Sequence, residues 1–366
     1  MYHIKNTMPS ANSSETPKKR LRSSRSNTVT LEHVAEAAGI TKAAASYALT
    51  GKREVSESTR KRVLKIAKEL GYRPNLHAQR LSSGICRGMV GLFSLRLEMG
   101  VITQLISDLH QGMHQAGFDS PVYTYGISKD SQLDAEHLLQ TLCQQRPEGI
   151  ICNTWNLPES AIDLLEKYQK NRGTLVTVRQ ECRLECDQVV FDRVQNTYLA
   201  TQYLLQMGHR NIGFCDFHAM ETTDPRTRGF ANALGEFNLK PNPEWLFQTD
   251  SREIGGMRLA KEFLALTDRP SAMCIVNDTQ AATFVHQLLR AGFQVPEDVS
   301  VISLDGLEAS EYGMVRLTTV TQPVSKMAEV AVDFMLDRTR RNYQEAPRKA
   351  VYSGELIERE SVRRLS

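Results

Sequence analysis

The sequence lacks any run of apolar residues approaching the roughly 18 that a membrane span requires. Its N-terminus has no apolar core like that of a signal peptide, so we expect no membrane association. Cysteine is scarce, and its seven residues are odd in number and scattered, which predicts no disulfide framework and favours a reducing cytoplasm. The closest pair, Cys182 and Cys186, has no second pair or histidine cluster nearby, so we expect no metal site.

Catalytic signatures are also missing. The sequence contains no glycine-rich phosphate loop, no G-x-S-x-G elbow and no paired carboxylates placed with a histidine. Its histidines are scattered, mostly in segments with a helical pattern. An enzyme on an α/β scaffold is therefore disfavoured, and we expect no cofactor.

Charge is distributed unevenly along the chain. The net charge is only +3, yet residues 1–84 carry an excess of ten basic residues and residues 85–366 an excess of seven acidic ones. This asymmetry indicates a polyanion-binding head on an acidic body. A basic tail that only aids solubility would not explain why the excess continues into a patterned segment.

The basic excess begins in residues 1–28, which are rich in Ser, Asn, Lys and Arg without apolar periodicity and are expected to form a disordered arm. From Val29 the pattern becomes helical, with an apolar stripe formed by Leu31, Val34, Ala35 and Ala38. Thr30 is placed to cap this helix and Gly39 to end it.

Two further helices are predicted in the head, residues 29–74. Thr41 can cap the second, whose inward side would be Ala45, Ala48 and Leu49. The third follows Ser56, and its stripe ends near Gly71. Three short helices with a tight glycine turn between the first two form a helix-turn-helix pattern. A plain three-helix bundle is the alternative, and the basic excess favours DNA binding.

A short segment, residues 75–86, links the head to the rest of the chain. Pro74 ends any helix before it, and Asn75 can cap a helix of under three turns that ends near Gly84. So short a helix is marginal in isolation. We expect it to order only with a partner.

The remaining core, residues 87–366, alternates continuously apolar β-rich runs with amphipathic helices. The runs are GMVGLFSL, SPVYTYG, EGIICNTW, TLVTVR, RNIGFCDF, AMCIVND and VSVISLD. Such strands imply α/β architecture with parallel sheets covered on both faces, and the length favours two doubly wound sheets. Ligands of such sheets bind beyond the carboxyl ends of the strands.

Several motifs resemble the lactose-repressor (LacI/GalR) family of bacterial transcription regulators. They are VTLEHVAEAAGIT, VSESTRKRVLKIAKELGYRPN, HAQRLSSG, LLQMGHRNIGF, RTRGFANAL, VPEDVSVISLD, LTTVTQP and GELIERES. They occur in the family's order from about residue 29 onward. The resemblance implies a helix-turn-helix head on a two-lobed periplasmic-binding-protein-like core, with a first lobe of about 87–187 and 322–348 and a second of about 188–321 and 349–366.

The resemblance also implies a homodimeric repressor of double-stranded operator DNA, located in the cytoplasm at the nucleoid. Without a leucine heptad after LIERESVRRLS, a dimer is favoured over a tetramer. The second helix would enter the major groove, and Leu81 of a hinge helix would wedge between base pairs of the minor groove. The expected DNA-binding residues are Thr30, Thr41, Lys42, Ala43, Ser46, Tyr47, Thr50, Asn75, His77, Ala78 and Leu81.

The second helix is poor in long polar side chains, because Ala44-Ala45-Ser46-Tyr47 stands where relatives usually have Thr-Val-Ser-Arg. Alanine methyl groups can contact a thymine methyl, and Ser46 and Tyr47 can form hydrogen bonds to bases or phosphates. We expect weak discrimination in the major groove and more dependence on the hinge and on DNA shape.

Five residues match effector-binding positions of the family: Arg179, Arg226, Asn277, Asp305 and Gln322. Arg228 and Arg193 are less favoured alternatives to Arg226, and Asp305 and Asn277 could instead cap turns. Arg179 departs from the family, since relatives often have an aspartate there. The stretch QTDSREIGGM also lacks an aromatic residue, whereas some sugar-binding members of the family have one here that stacks on the sugar ring.

The positive charge of Arg179 and the missing aromatic residue favour an anionic or carboxylate-bearing effector, such as a sugar acid, over a neutral sugar. Two alternatives keep parts of the same architecture. A solute-binding protein would need a signal peptide and no basic head, whereas this chain shows the reverse. A regulator that needs no effector would keep the core only for dimer stability.

Overall fold

The protein is described here from a computed structural model. The residues it describes are 29–50, 55–72, 86–95, 97, 100–126, 129–217, 222–249 and 253–365. The chain divides into two compact units, residues 1–81 and 82–366.

The first unit contains three helices among its described residues. They are α1 (Leu31–Ala38), α2 (Lys42–Thr50) and α3 (Glu57–Glu69). The helices pack through small apolar side chains, and Val34, Ala45, Ala48 and Val63 are fully buried. Because alanine methyl groups let helix backbones approach closely, this short segment can form a core without large side chains.

The helix boundaries of the head follow the predicted capping residues. The Thr30 hydroxyl accepts a hydrogen bond from the His33 amide, and Gly39 ends α1 in the left-handed region at φ 64°. The Thr41 hydroxyl accepts from the Ala44 amide at 3.2 Å. Ser56 caps α3 in the same way. These caps satisfy amides that have no partner inside a helix, and they place the tight turn between α1 and α2.

The second unit contains two six-stranded sheets among its described residues. The first has the strand order β11-β5-β4-β3-β1-β2, and all its neighbouring strands are parallel. Its strands are β1 (Cys86–Leu95), β2 (Val122–Tyr125), β3 (Pro147–Asn153), β4 (Thr174–Arg179), β5 (Asp187–Phe191) and β11 (Lys349–Tyr352). Its helices are α4 (Gly100–Gln115), α5 (Lys129–Gln144), α6 (Glu159–Lys170) and α12 (Val324–Thr339).

The second sheet has the order β12-β10-β9-β8-β6-β7, and β12 is antiparallel to β10. Its strands are β6 (Ile212–Asp216), β7 (Leu246–Gln248), β8 (Ala272–Ile275), β9 (Ser300–Asp305), β10 (Thr318–Thr321) and β12 (Leu356–Ile357). Its helices are α7 (Arg193–Gln206), α8 (Pro225–Glu236), α9 (Glu253–Ala265), α10 (Asp278–Arg290) and α11 (Glu308–Glu311). The predicted α/β class with two doubly wound sheets is confirmed, and each sheet is the centre of one lobe.

The chain crosses between the lobes three times, after β5, after β10 and after β11. The predicted lobe boundaries at 187/188 and 348/349 need correction, because β5 and β11 pair with each other in the first sheet through Phe191 and Tyr352. Both strands are short and partly exposed, so neither shows the continuous apolar run that marks a buried strand. The crossings therefore begin after residues 191 and 352.

Each lobe has its own apolar core. In the first lobe one cluster includes side chains of β1, β3, β4 and the helices on both faces of that sheet. The second lobe has a cluster on each face of its sheet, one containing stacked Phe214 and Phe230 and the other Phe263 edge-on to Phe284. The two rigid sheets hold their carboxyl edges in fixed positions. Among the described helices, none combines the length and apolarity that crossing a bilayer would take.

Candidate functional site: a cleft lined by arginines

Polar side chains of both lobes lie at the carboxyl ends of the strands. Arg179 ends β4 in the first lobe, while Asp216 ends β6 and Asp305 ends β9 in the second. Gln322 directly follows β10, and Asn277 lies two residues after the end of β8. All five side chains are buried. The edge that topology assigns to ligands is therefore the most polar part of the core.

Asp305 is the centre of a buried amide–carboxyl cluster. Asn277 Nδ2 donates to Asp305 Oδ2 at 2.7 Å, and Gln322 Nε2 donates to Asp305 Oδ1. Burial raises the pKa of Asp305 to about 8, and the charge of Asp278 acts in the same direction, against the opposing effects of Arg226 and Arg179. At neutral pH the carboxyl is therefore mostly protonated in this environment. Asn277 also caps α10 by accepting from an amide of that helix, so its capping and cluster roles coexist.

Arg226 reaches the cleft from the first turn of α8. Asp224 caps this helix and accepts a hydrogen bond from the Arg226 amide at 2.8 Å. The Arg226 side chain is 7% exposed, and its Nη1 lies 3.3 Å from Oδ1 of the fully buried Asp216. Arg226 is thus not a surface arginine of a helix. Its positive charge and the negative charge of the buried Asp216 carboxylate balance each other inside the protein.

Trp155 is the aromatic centre of the cleft, and it follows β3 of the first lobe. Its indole ring lies 5.8 Å from Cζ of Arg179, 5.3 Å from Cζ of Arg193 and 6.0 Å from Cζ of Arg226. Guanidinium groups at this distance are attracted to the ring face. Three cations from three segments of the chain therefore surround one indole, and Arg226 brings the second lobe into contact range of the first.

Arg179 and Arg193 differ from Arg226 because neither forms an ion pair within the described part of the chain. Nε and Nη1 of Arg179 and Nε and Nη2 of Arg193 are buried without a hydrogen-bond partner among those residues. Burial lowers the pKa of Arg179 to about 10 and that of Arg193 well below its usual range, where the charges of Arg179 and Arg226 add to the effect. A buried donor without a partner typically costs about 1–3 kcal/mol, and more when it is charged.

The backbone at two cleft residues lies in a region that residues other than glycine rarely adopt. Arg179 has φ 79° and Asp305 has φ 150°. Each is the last residue of a central strand, and such conformations cost of order 1–3 kcal/mol. Strain of this kind concentrates at binding sites, and both residues with this strain are ionisable residues of one cleft.

Packing of α8 against α7 sets the position of Arg226, and Gly229 makes that packing possible. A Cβ at residue 229 would collide with the Val194 carbonyl oxygen and approach the Tyr198 amide nitrogen to 3.0 Å, both backbone atoms of α7. We expect Gly229→Ala to lower the free energy of unfolding by about 1–3 kcal/mol in urea denaturation. Gly235→Ala in the same helix is the control, because nothing lies within 4 Å of its added Cβ. Equal stability of the two variants would contradict this assignment.

The predicted DNA-binding residues that the structure describes in the head lie at the start of α1, at the start of α2 and along α2. Thr41, Lys42 and Ala43 are exposed at the start of α2, whereas Ser46 and Tyr47 are half-buried. Thr50 is the last residue of α2, and Thr30 caps α1. Lys42 lies 3.7 Å from the exposed carboxylate of Glu32. Of the predicted inward side, Ala45 and Ala48 are fully buried, and Leu49 is half-buried against the same core.

The predicted hinge residues Asn75, His77, Ala78 and Leu81 lie outside the described residues, as does the basic arm of residues 1–28. Their assignments remain predictions. Among the described residues, no cluster of three or more His, Cys, Asp or Glu side chains could hold a metal ion.

Three cleft residues were missed or undervalued in the sequence. Trp155 ends the predicted strand EGIICNTW, so the rule that ligands bind beyond strand ends could have identified it. Asp216 is the second-last residue of RNIGFCDF, so the same rule applies to it. Arg193 was considered only as an alternative to Arg226, yet the structure brings it together with Arg226 and Arg179. QTDSREIGGM has no aromatic residue, but Trp155 of the other lobe supplies one to the cleft. Arginine side chains occupy the face of its indole ring.

Two protein-family models match the chain. Residues 30–75 match the family described as bacterial regulatory proteins, lacI family, and residues 201–362 match the periplasmic binding protein-like domain. Among curated proteins, the HTH-type transcriptional repressor PurR of Aliivibrio salmonicida is 27% identical over 339 residues, which cover 92% of this chain and 99% of the relative. The PurR of Vibrio cholerae is 26% identical over 338 residues with the same coverage.

Solved structures share the fold. The lac repressor dimer bound to operator and the anti-inducer ONPF superposes with a TM-score of 0.78 at 22% identity, covering 92% of this chain and all of that one. The transcriptional regulator CelR in complex with cellobiose gives a TM-score of 0.65 at 23% identity, covering 91% of this chain and 99% of that one. The two-lobed core and the helical head are therefore found together in known regulators.

Proposed function

Since the chain belongs to the lacI family of bacterial regulatory proteins and is a DNA-binding transcriptional regulator, we propose that it represses transcription under the control of a small anionic effector bound in the cleft. The observation that carries this proposal is the pair of buried guanidinium groups, Arg179 and Arg193, whose donors have no partner among the described residues. We place the protein in the cytoplasm, at the nucleoid, as a homodimer.

The head supplies the DNA contacts in this proposal. The exposed start of α2, with Thr41, Lys42 and Ala43, enters the major groove of one operator half-site, and Ser46, Tyr47 and Thr50 follow along the helix. Thr30 and Lys42 contact phosphates or base edges near the ends of the helices. Asn75, His77 and Ala78 form the hinge contacts, and Leu81 inserts into the minor groove. Operator binding by the lac repressor dimer supports this arrangement by analogy of fold.

The core supplies the effector site. Asp305, with Asn277 and Gln322, offers a carboxyl and two amides that can form hydrogen bonds to hydroxyl groups, in keeping with the cellobiose of the CelR complex. Arg226 adds a guanidinium whose charge Asp216 already balances. The donors of Arg179 and Arg193 that have no partner among the described residues can bind a negatively charged group of the effector. A hydroxylated acid fits both halves of the cleft better than a neutral sugar.

Control of DNA binding follows from linkage between the two sites. If the effector binds one lobe arrangement more tightly, it shifts operator affinity by the same factor by which the operator shifts effector affinity. The sign distinguishes an inducer from a corepressor. Operator sites selected from random DNA, followed by fluorescence anisotropy with and without a panel of metabolites, test the proposal. Equal operator affinity throughout a panel of hydroxylated acids and phosphates would support an effector-independent regulator instead.

Tyr47 is the largest polar side chain on the proposed reading helix, and its replacement tests the role of α2. We expect Tyr47→Ala to weaken binding to the selected operator about ten- to a hundredfold, because one base contact is worth about 1–3 kcal/mol. Tyr312→Ala is the matched control, since Tyr312 is 80% exposed on the core. Unchanged affinity and sequence preference of Tyr47→Ala in the same anisotropy assay would refute the assignment of α2.

A further inference from the structure

The number and arrangement of unpaired donors in the cleft restrict the ligand further. Arg179 and Arg193 each present two buried nitrogen atoms, Nε and one Nη, without a partner among the described residues. Buried donors are nearly always satisfied in folded proteins, by protein or by a bound group. Four such atoms on two neighbouring guanidinium groups are more than packing alone explains. Their common partner is expected to be a ligand.

The charges around Trp155 leave a surplus that a single negative charge does not balance. Arg226 is neutralised by Asp216 at 3.3 Å. Asp305 is the carboxyl that acts on Arg179, and burial keeps it largely protonated at neutral pH. The charges of Asp224 and Asp216 act on Arg193 without forming an ion pair with it among the described residues. Arg179 and Arg193 therefore bring two positive charges without an ion-paired carboxylate in the described residues. A ligand that carries two negative charges on one group would balance them.

On the basis of the proposed anionic effector, we infer that Arg179 and Arg193, above the indole of Trp155, form a subsite for the phosphoryl group of a phosphate monoester. A carboxylate can accept from two guanidinium groups, as Asp187 does from Arg338 and Arg348, but it carries a single negative charge. One of the two positive charges would then stay unbalanced. A phosphoryl group has three terminal oxygens in a tetrahedral array and about −1.5 to −2 charge at pH 7, so it can accept from both guanidinium groups and balance both charges.

The rest of the cleft then defines the remainder of the ligand. The carboxyl and amides around Asp305 suit hydroxyl groups, and the cations around Trp155 occupy the aromatic face on which a ring could stack. A phosphorylated polyol or sugar, with its phosphoryl group at Arg179 and Arg193 and its hydroxyl groups towards Asp305, satisfies both regions. This orientation makes Arg179 and Arg193 the residues that distinguish a phosphorylated ligand from its unphosphorylated form.

Isothermal titration calorimetry of the full-length protein at pH 7 and constant ionic strength tests the subsite. The probes are inorganic phosphate, sulfate and acetate. We expect phosphate and sulfate to bind at least about tenfold more tightly than acetate, because acetate carries one negative charge and can balance only one of the two arginines. Arg193→Gln and Arg179→Gln should each weaken phosphate binding by about tenfold or more. Arg183→Gln is the control, since Arg183 pairs with Glu159, Asp163 and Glu166 on the surface.

The outcomes separate this inference from the proposed function. Acetate bound as tightly as phosphate, with loss in Arg193→Gln, would overturn the phosphoryl subsite and leave an anionic effector in place. No binding of any anion to the wild-type protein would overturn both. Arg193→Lys keeps the charge but loses the fork, so a weakened phosphate affinity in this variant supports the inference even if a glutamine variant folds poorly. Wild-type phosphate affinity in both Arg193 variants would refute it.

Discussion

Asp216→Asn is expected to destabilise the protein by about 3–5 kcal/mol, although the substitution hardly changes the size of the side chain. Asp216 is fully buried, and its Oδ1 lies 3.3 Å from Nη1 of Arg226. It is the only ion-pair partner of any of the three arginines around Trp155 among the described residues. Without its charge, Arg226 would join Arg179 and Arg193 as a buried cation without an ion pair, which is costlier than burying a neutral amide.

Urea denaturation at pH 7 measures this loss. Glu360→Gln is the matched control, because the Arg316–Glu360 pair is half exposed and such pairs contribute about 0–1 kcal/mol. The double variant Asp216→Asn/Arg226→Met should recover most of the stability, since it removes both members of the buried pair. A loss of less than about 1 kcal/mol in Asp216→Asn would show that the cleft does not depend on this carboxylate.

Asp305 is expected to make stability depend strongly on pH, in the direction opposite to that of a salt-bridged carboxylate. Its pKa in the folded protein is raised to about 8, mainly by burial and further by Asp278, against about 3.9 when unfolded. Between these values the folded state binds more protons than the unfolded state. The contribution of Asp305 is therefore fully present below pH 4 and is lost as pH rises to 8, by up to about 1.4 kcal/mol per pH unit.

The free energy of unfolding, measured in urea from pH 5 to pH 9, tests this. We expect wild-type stability to fall relative to Asp305→Asn from pH 5 to about 8 and to stay level above that. Asp333→Asn, at a half-exposed surface position, should keep the wild-type pH profile. Parallel profiles for wild type and Asp305→Asn would show that the carboxyl is ionised throughout and pairs with the arginines.

The sequence predicts most of the architecture because the signals are local. Continuous apolar runs identify the central strands β1, β3, β4, β6, β8 and β9, and the Thr30, Gly39 and Ser56 signals place the helices of the head. Edge strands such as β7, β11 and β12 escape prediction, because they have few residues and are exposed on one face. Pairing to a neighbouring strand, rather than their own composition, makes them strands.

The cleft is less predictable because its chemistry depends on distant segments. Arg179, Arg226, Asn277, Asp305 and Gln322 could be selected as strand-end or motif positions. The gathering of Trp155, Arg179 and Arg193 could not, since β3, β4 and the start of α7 meet only through the topology of the sheet. The raised pKa of Asp305 likewise depends on burial and on Asp278, which no local pattern shows.

Arg193 offers the most direct test of the cleft. Its unpaired charge should lower the free energy of unfolding of the protein without a ligand and increase the stabilisation that bound phosphate provides. The measurement is the free energy of unfolding of wild type and Arg193→Gln in urea at pH 7, without phosphate and with saturating inorganic phosphate. Without phosphate we expect the variant to be more stable by about 1–3 kcal/mol, since a buried unpaired charge is gone. With phosphate this advantage should shrink by about 1.4 kcal/mol or more, because the wild type binds phosphate at least about tenfold more tightly than the variant. A wild type that is more stable in both buffers would contradict an anion-binding cleft.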